Sequence, residues 1–184
     1  MNVTPTPLPG VLVVEPRIHG DARGLLFESW SRRRFEEAGL PADFVQDNVS
    51  CSAGGVLRGL HYQHPHGQGK LVHVLHGAIF DVAVDVRRGS PTFGDWYGCT
   101  LSDANRLQLF IPTGFAHGFL VQSEGALVAY KCTDYYQPEC ERTVRWDDED
   151  IGIEWPDRPG TVSEKDRAGR RLRELSDEEL PRFG

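Results

Sequence analysis

Residues 55–77, GVLRGLHYQHPHGQGKLVHVLHG, and residues 111–119, IPTGFAHGF, are the two stretches around which this chain is organised. The first puts Arg58, His61, Gln63 and Lys70 close together, between a glycine-rich start and alternating strand-like residues. Four hydrogen-bonding side chains at that spacing share one surface or one cavity. The second stretch ends an apolar run, Leu107, Leu109 and Ile111, whose alternation predicts a half-buried strand closing in a turn. His117 is thereby placed at a strand end, and the two stretches read as halves of one polar site.

Outward from these blocks the chain reads as short strands separated by Gly, Pro and Asp turns. Residues 1–10 carry three prolines and form an extended arm or an edge strand. Leu12 to Val14 is a strand, residues 21–24 a turn, and Leu25 to Trp30 a second strand. The segment from Ser31 to Gly39 predicts a helix capped by Ser31 and stopped by Gly39 and Pro41. From Phe44 to Ser50 the alternation puts Gln46 and Asn48 on one face and Val45, Asp47 and Val49 on the other.

Ala78 to Val86 is the return of a hairpin, with Ala78, Phe80, Val82, Val84 and Val86 on a core face and Asp81 and Asp85 opposite. Two readings are open for Asp81: it holds His117 or Lys70 inside a bowl, or it is a surface acid. Ala126 to Thr133 is a strand in which Tyr130 reads as core filler with its hydroxyl satisfied. Residues 163–184 read as a charged, helical tail. It begins with a capping-box pattern at Ser163-Glu164-Lys165-Asp166 and ends in a short solvated helix from Ser176 to Phe183. The sum is an all-β jelly-roll sandwich, a single domain over 1–184 with a few short flanking helices.

A chain of 184 residues supports one real core, and its formal charge of −7 argues against a nucleic-acid partner or an acidic membrane surface. A local basic patch that grips a diphosphate remains compatible with that balance. The four cysteines have neither C-x-x-C spacing nor disulfide-scaffold density. No signal-peptide pattern opens the chain, and no apolar run approaches membrane-spanning length. The expectation is a cytoplasmic protein.

The two opening blocks resemble the paired motifs of the cupin superfamily, jelly-roll sandwiches whose bowl often holds a metal. In a metal-binding cupin the first block supplies His, a second His two residues on, and a Glu before a Gly. Here His61 stands, but Gln63 takes the second position and Lys70 the Glu position before Gly77. An ammonium has no lone pair and repels a cation, so the resemblance implies a site that uses no metal. The longer series of motifs is Asp21-x-Arg23-Gly24-x-x-x-Glu28, Gln46-Asp47-Asn48-x-Ser50, Arg58-Gly59-Leu60-His61-Tyr62-Gln63, Ser90-Pro91-Thr92-Phe93-Gly94, Pro112-x-Gly114-x-Ala116-His117-Gly118-Phe119 and Tyr130-Lys131-Cys132-Thr133. In that order they resemble the dTDP-4-dehydrorhamnose 3,5-epimerase family, over residues from about 10 to about 175.

That resemblance implies a cofactor-free isomerase acting on dTDP-4-dehydro-6-deoxyglucose, and a homodimer. It implies His61 as base, Tyr130 as acid, Asp166 as the carboxylate behind His61, and Lys70 at the enolate oxygen. It further implies substrate contacts from Arg23, Glu28, Gln46, Asn48, Arg58, His117, Glu141 and Lys165, with Phe27 or Tyr136 stacked on thymine. On spacing alone Arg23 is a solvated charge on a turn, and Asp166 only a helix cap. Three other functions compete: an epimerase acting at one carbon, a metal cupin using His61, His64, His66 and His117, and a non-catalytic sugar-nucleotide binding module. The pair His64 and His66 lies in a glycine-rich loop and reads as exposed.

Overall fold

The computed structural model describes residues 1–184. Strands β1 (Asn2–Pro5), β2 (Leu12–Glu15), β3 (Ile18–Asp21) and β4 (Gly24–Phe27) precede helix α1 (Arg32–Glu37). Then follow β5 (Gln46–Ala53), β6 (Val56–Gln63), β7 (Lys70–His76), β8 (Ala78–Asp85), β9 (Trp96–Ser102), β10 (Gln108–Ile111), β11 (Phe115–Val121) and β12 (Gly125–Cys132). The chain closes with β13 (Glu141–Thr143), β14 (Thr161–Val162) and α2 (Glu164–Arg167). One sheet runs β1-β2-β10-β7-β12-β5 and the other β13-β6-β11-β8-β9, with β14 beside β6. The predicted all-β, cupin-like sandwich is therefore the fold, and the predicted arm is the edge strand β1.

Between the sheets Val72, Leu109, Val128, Ile79, Leu101 and Phe119 form one apolar core fed by both layers. Burial alternates along β5 and the first half of β12, which bury one face on the other sheet, whereas β10 and β11 are buried along their whole length. Helix α1 packs Phe35 against Val14, Leu71 and Phe110 on the outside of the first sheet. Ser31 occupies its N-cap position without a side-chain bond to the helix, so the expected cap is made by backbone alone.

The second sheet departs from the sequence reading. Val82, Val84 and Val86, expected to face the core, point outward, while Ile79 and Ala83 line the inter-sheet core. Both faces of β8 are buried because the C-terminal segment covers the outer one, packing Leu172, Leu175 and Leu180 on Leu60, Tyr62 and Val144. The surface-acid reading of Asp81 fails because this residue lies on the inter-sheet face with Ile79 and Ala83 and has no exposed area. The solvated helix expected over Ser176 to Phe183 does not form. Leu180 is fully buried there, and the Tyr62 hydroxyl donates to the Glu179 carbonyl at 3.0 Å. Helix in residues 163–184 is limited to the single turn α2 and a 3-10 turn at Leu172–Glu174. The charges that suggested a solvated helix instead make ion pairs from this segment, Arg170 with Glu179 and Arg173 with Asp150.

Strands β3 and β4 form a separate hairpin outside both sheets, joined at the turn that carries Arg23. Leu26, near its open end opposite His19, is 74% exposed, with Ile18 and Leu25 also open. No helix is long and apolar enough to cross a membrane.

Candidate active site

The two sheets part at one end into adjoining cavities of about 510 Å³ and 260 Å³, which share His61, Lys70 and Tyr130. Register decides which side chains meet there. In the first sheet Lys70, Cys132 and Gln46 lie in one row, with Val72, Tyr130 and Asn48 in the next. In the second sheet His61 of β6 sits opposite His117 of β11. Tyr130 thus rises from one wall while both histidines rise from the other.

Close approach of β6 and β11 depends on glycine. A Cβ on Gly59 would lie 2.6 Å from the Gly118 Cα and 2.7 Å from the His117 carbonyl oxygen, and its φ of +118° is in a region that side chains avoid. That geometry turns the Gly59 N–H toward Asp166, whose Oδ2 accepts it at 3.3 Å. The other oxygen, Oδ1, lies 2.6 Å from His61 Nε2. Strand β14 delivers the aspartate by running parallel to Val56 and Leu57 of β6 and leading directly into α2.

The two readings of Asp166 are both part of the arrangement. Ser163 Oγ accepts the Asp166 backbone N–H at 3.1 Å, which is half of a capping box, while the Asp166 side chain leaves the helix for His61. Burial pushes the Asp166 carboxyl up, but the His61 hydrogen bond and charge, with the Gly59 N–H, outweigh it and hold the group below the usual carboxylate range. An ionised Asp166 fixes the imidazole so that Nε2 bears hydrogen toward it and Nδ1 is left free.

A second pair stands beside the first. His117 Nε2 lies 2.7 Å from Asp81 Oδ1, both residues buried, which settles Asp81 as an interior carboxylate. Lys70 protrudes between the sheets into both cavities. Desolvation lowers its pKa, and the negative potential of Cys132, Asp81 and Glu141 restores part of the loss. Burial raises the Tyr130 phenol above its ordinary value, so it keeps its proton at neutral pH.

Of the catalytic residues and substrate contacts expected from the sequence, all line one of the two cavities except Arg23, Glu28 and Phe27. Arg58, His117, Lys165 and Asp166 line the larger, and Gln46, Asn48 and Glu141 the smaller. Arg58 Nε donates to Ser52 Oγ at 2.9 Å with its head exposed, and Lys165 Nζ lies 2.8 Å from Glu141 Oε2. Gln46 Nε2 donates to Asn48 Oδ1 at 3.1 Å, so these amides are mutually oriented. Arg23 instead grips Asp21 on the outlying hairpin, and Glu28 lies 3.3 Å from Arg34. Phe27 sits under the Arg106 guanidinium on the same hairpin, whereas Tyr136 lines the smaller cavity.

The sequence reading gave no role to Ser50, Thr161 or Gln68, which also line the cavities. Ser50 was accessible from pattern, being two residues beyond Asn48 on the same strand face. Thr161 sits on a two-residue strand and Gln68 in a glycine-rich loop, where periodicity carries no signal. The metal position of cupins does not fit a cation in this chain. Gln63 commits its amide to backbone, its Oε1 accepting the Gln137 N–H, and Lys70 contributes an ammonium where a carboxylate would be required. His66 is exposed and His64 lines only a separate shallow cleft by the C-terminus.

Comparison with known proteins shows the family. The family model described as dTDP-4-dehydrorhamnose 3,5-epimerase matches residues 5–174. A dTDP-4-dehydrorhamnose 3,5-epimerase from Pseudomonas aeruginosa is 56% identical over 92% of this chain and 95% of its own length. The crystal structure of a dTDP-6-deoxy-D-glucose-3,5-epimerase from Legionella pneumophila in complex with dTDP-4-keto-L-rhamnose is 50% identical, with a TM-score of 0.97 over 100% of this chain and 98% of that one. A 3'-monoepimerase from Streptomyces bikiniensis in complex with dTDP-quinovose is more distant, 35% identical with a TM-score of 0.90 over 97% and 92% of the two chains. Matched by the family model over residues 5–174 and by relatives at 50% identity or more over nearly its whole length, this chain belongs to the dTDP-4-dehydrorhamnose 3,5-epimerase family.

Proposed function

We propose that the protein is an isomerase that inverts C3 and C5 of dTDP-4-dehydro-6-deoxy-D-glucose to give dTDP-4-dehydro-L-rhamnose, the epimerisation step of dTDP-rhamnose biosynthesis. The observation that carries this reading is the opposition of an Asp166-oriented His61 on one wall to a protonated Tyr130 on the other, with Lys70 in the same space.

The substrate's own C4 ketone makes the reaction possible without a cofactor. His61 Nδ1 takes the proton from the carbon next to the carbonyl, and the electron pair moves onto the C4 oxygen as an enolate. The Lys70 ammonium stabilises that oxygen, an electrostatic effect that grows in a water-poor cavity. Tyr130 then delivers a proton to the opposite face, and exchange with solvent restores both groups. The same sequence at the second carbon completes the double inversion. Arg58 supports the diphosphate, while Gln46, Asn48, Glu141, Lys165 and His117 contact the rest of the nucleotide sugar, with Tyr136 stacked on thymine.

The active form in this reading is a homodimer in the cytoplasm. Arg23 and Glu28 are away from the cavities of their own chain, Arg23 at the turn of a hairpin with exposed apolar side chains and Glu28 just beyond it. Val49 and Leu75 are exposed on the outer face of the first sheet, so a second copy has an apolar surface to cover. A twofold that carries the hairpin to the partner's cavity accounts for Arg23 as a diphosphate ligand. Sedimentation gives the oligomeric state. Arg23→Ala and His61→Asn proteins, inactive alone, should regain activity on mixing if sites are shared. The four free cysteines agree with a reducing compartment.

The likeness to a 3'-monoepimerase sustains one second reading, inversion at a single carbon. The test is turnover of the dTDP-4-keto sugar in heavy water followed by NMR. Deuterium at both C3 and C5 of an inverted product supports the proposal, and label at one carbon alone transfers the protein to the second reading.

A further inference from the structure

Gln63 occupies the place where a metal cupin carries its second histidine, yet its side chain does something else. It is 5% exposed at the end of β6, and its amide makes three hydrogen bonds, all to backbone. Nε2 donates to the His66 carbonyl at 2.7 Å and to the Tyr135 carbonyl at 3.2 Å, while Oε1 accepts the Gln137 N–H at 2.9 Å. The last two contacts lie on either side of Tyr136. A single buried amide therefore grips both peptide flanks of the aromatic residue that lines the smaller cavity.

The rest of the segment is tied by groups with other duties. The Tyr136 N–H donates to Gln46 Oε1 at 2.9 Å, and its hydroxyl donates to Glu141 Oε2 at 3.1 Å, where Lys165 also binds. A ligand that draws on Gln46, Glu141 or Lys165 competes with those ties. Gln63 has no hydrogen left to offer a ligand, so its hold on the segment is independent of occupancy. Tyr136 is about half exposed, so these anchors carry much of its placement.

We infer that Gln63 is a positioning residue that holds Tyr136 at the rim of the smaller cavity as a stacking platform for the nucleotide base. The inference rests on the proposed nucleotide-sugar substrate. It makes Gln63 a determinant of nucleotide affinity and leaves proton transfer at the sugar to His61 and Tyr130.

The test is a double-mutant cycle read by calorimetric binding of dTDP and by steady-state kinetics, on wild type, Gln63→Met, Tyr136→Leu and the double variant. Loss of one base–aromatic stack predicts that each single variant raises the Kd of dTDP and the KM of the substrate together, roughly 10-fold, with kcat within about 3-fold. The double variant should match Tyr136→Leu alone, because Gln63 acts through that ring. A merely structural role lowers the melting temperature without this pattern. If Gln63→Met does not fold, Gln63→Glu answers the question, since it keeps the acceptor for Gln137 and loses both donors. Unchanged affinity in the Gln63 variant, fully additive effects, or a kcat loss at constant Kd would each overturn the inference while leaving the epimerase reading intact. Absence of dTDP binding by the wild type would overturn both.

Discussion

Replacing Lys70 by Met keeps most of the stem that crosses the core and removes the charge that faces the cavities. An ammonium about 4 Å from a full negative charge, at an effective dielectric of about 20, is worth about 4 kcal/mol. The cavities are open to solvent, and the enolate carries only part of its charge in the transition state, so about 3 kcal/mol is the better expectation. That corresponds to a fall in kcat of roughly 10²-fold. The assay is turnover of the dTDP-4-keto sugar at saturating substrate, with the unfolding midpoint measured alongside. The pH profile adds an independent check. Lys70 acts while protonated and its pKa lies below the ordinary lysine value, so wild-type kcat should fall as pH rises through a value below about 10.4. Tyr130 titrates above its ordinary value of about 10. The Lys70→Met enzyme should lack the alkaline limb assigned to lysine. Unchanged kcat with a raised KM would refute the reasoning and make Lys70 a ground-state binding residue.

Three further outcomes follow. Leu180→Ala should lower stability by about 2–5 kcal/mol in urea unfolding, because this side chain is fully buried under the second sheet; a change near zero would return the C-terminal segment to solvent. Activity should survive exhaustive chelation, and loss restored by one divalent ion would contradict the reading of Gln63 and Lys70. Asp166→Asn should destabilise by about 1.5–3 kcal/mol at neutral pH. Because the folded carboxyl is depressed, its contribution is complete above the ordinary value near 3.9 and is lost as pH falls toward the folded value, so the two proteins should converge in acid. A difference that does not shrink as pH falls below the ordinary carboxylate value would contradict that assignment.

The parts of this molecule legible in its sequence were those set by local periodicity. Gln46, Asn48 and Ser50 face inward while Asp47 and Val49 face out, because β5 pairs only with β12 and has one buried face. The His61 and His117 blocks could be read as one site from their clustered polar residues and not from burial, since β6 alternates only in part and β11 is buried along its whole length. Strand β8 escaped this logic. Asp81 and Val82 are both buried since the sandwich covers one face and Leu172, Leu175 and Leu180 the other, so alternation assigned the core to the wrong side. The C-terminal segment misled for a related reason: its leucines are separated by charged residues that stay at the surface, such as Arg173 paired with Asp150, while Leu172, Leu175 and Leu180 bury on the second sheet. Nothing in the spacing of Gln63 distinguishes an amide that faces a ligand from one that clamps backbone. The position of Arg23 relative to the cavities depends on a hairpin that joins neither sheet, and no local pattern encodes that.

The central claim is that protons leave one face of the sugar through His61 and return to the other through Tyr130. Its most direct test is the labelling pattern of His61→Asn and Tyr130→Phe in heavy water, followed by NMR at C3 and C5. The account predicts that His61→Asn labels neither carbon above background, because no base forms the enolate. It predicts that Tyr130→Phe still forms the enolate over Lys70 and returns deuterons from His61, so label enters without inversion, with inversion slowed by roughly 10²–10⁴-fold. Efficient exchange by His61→Asn, or normal inversion by Tyr130→Phe, would contradict the two-sided mechanism.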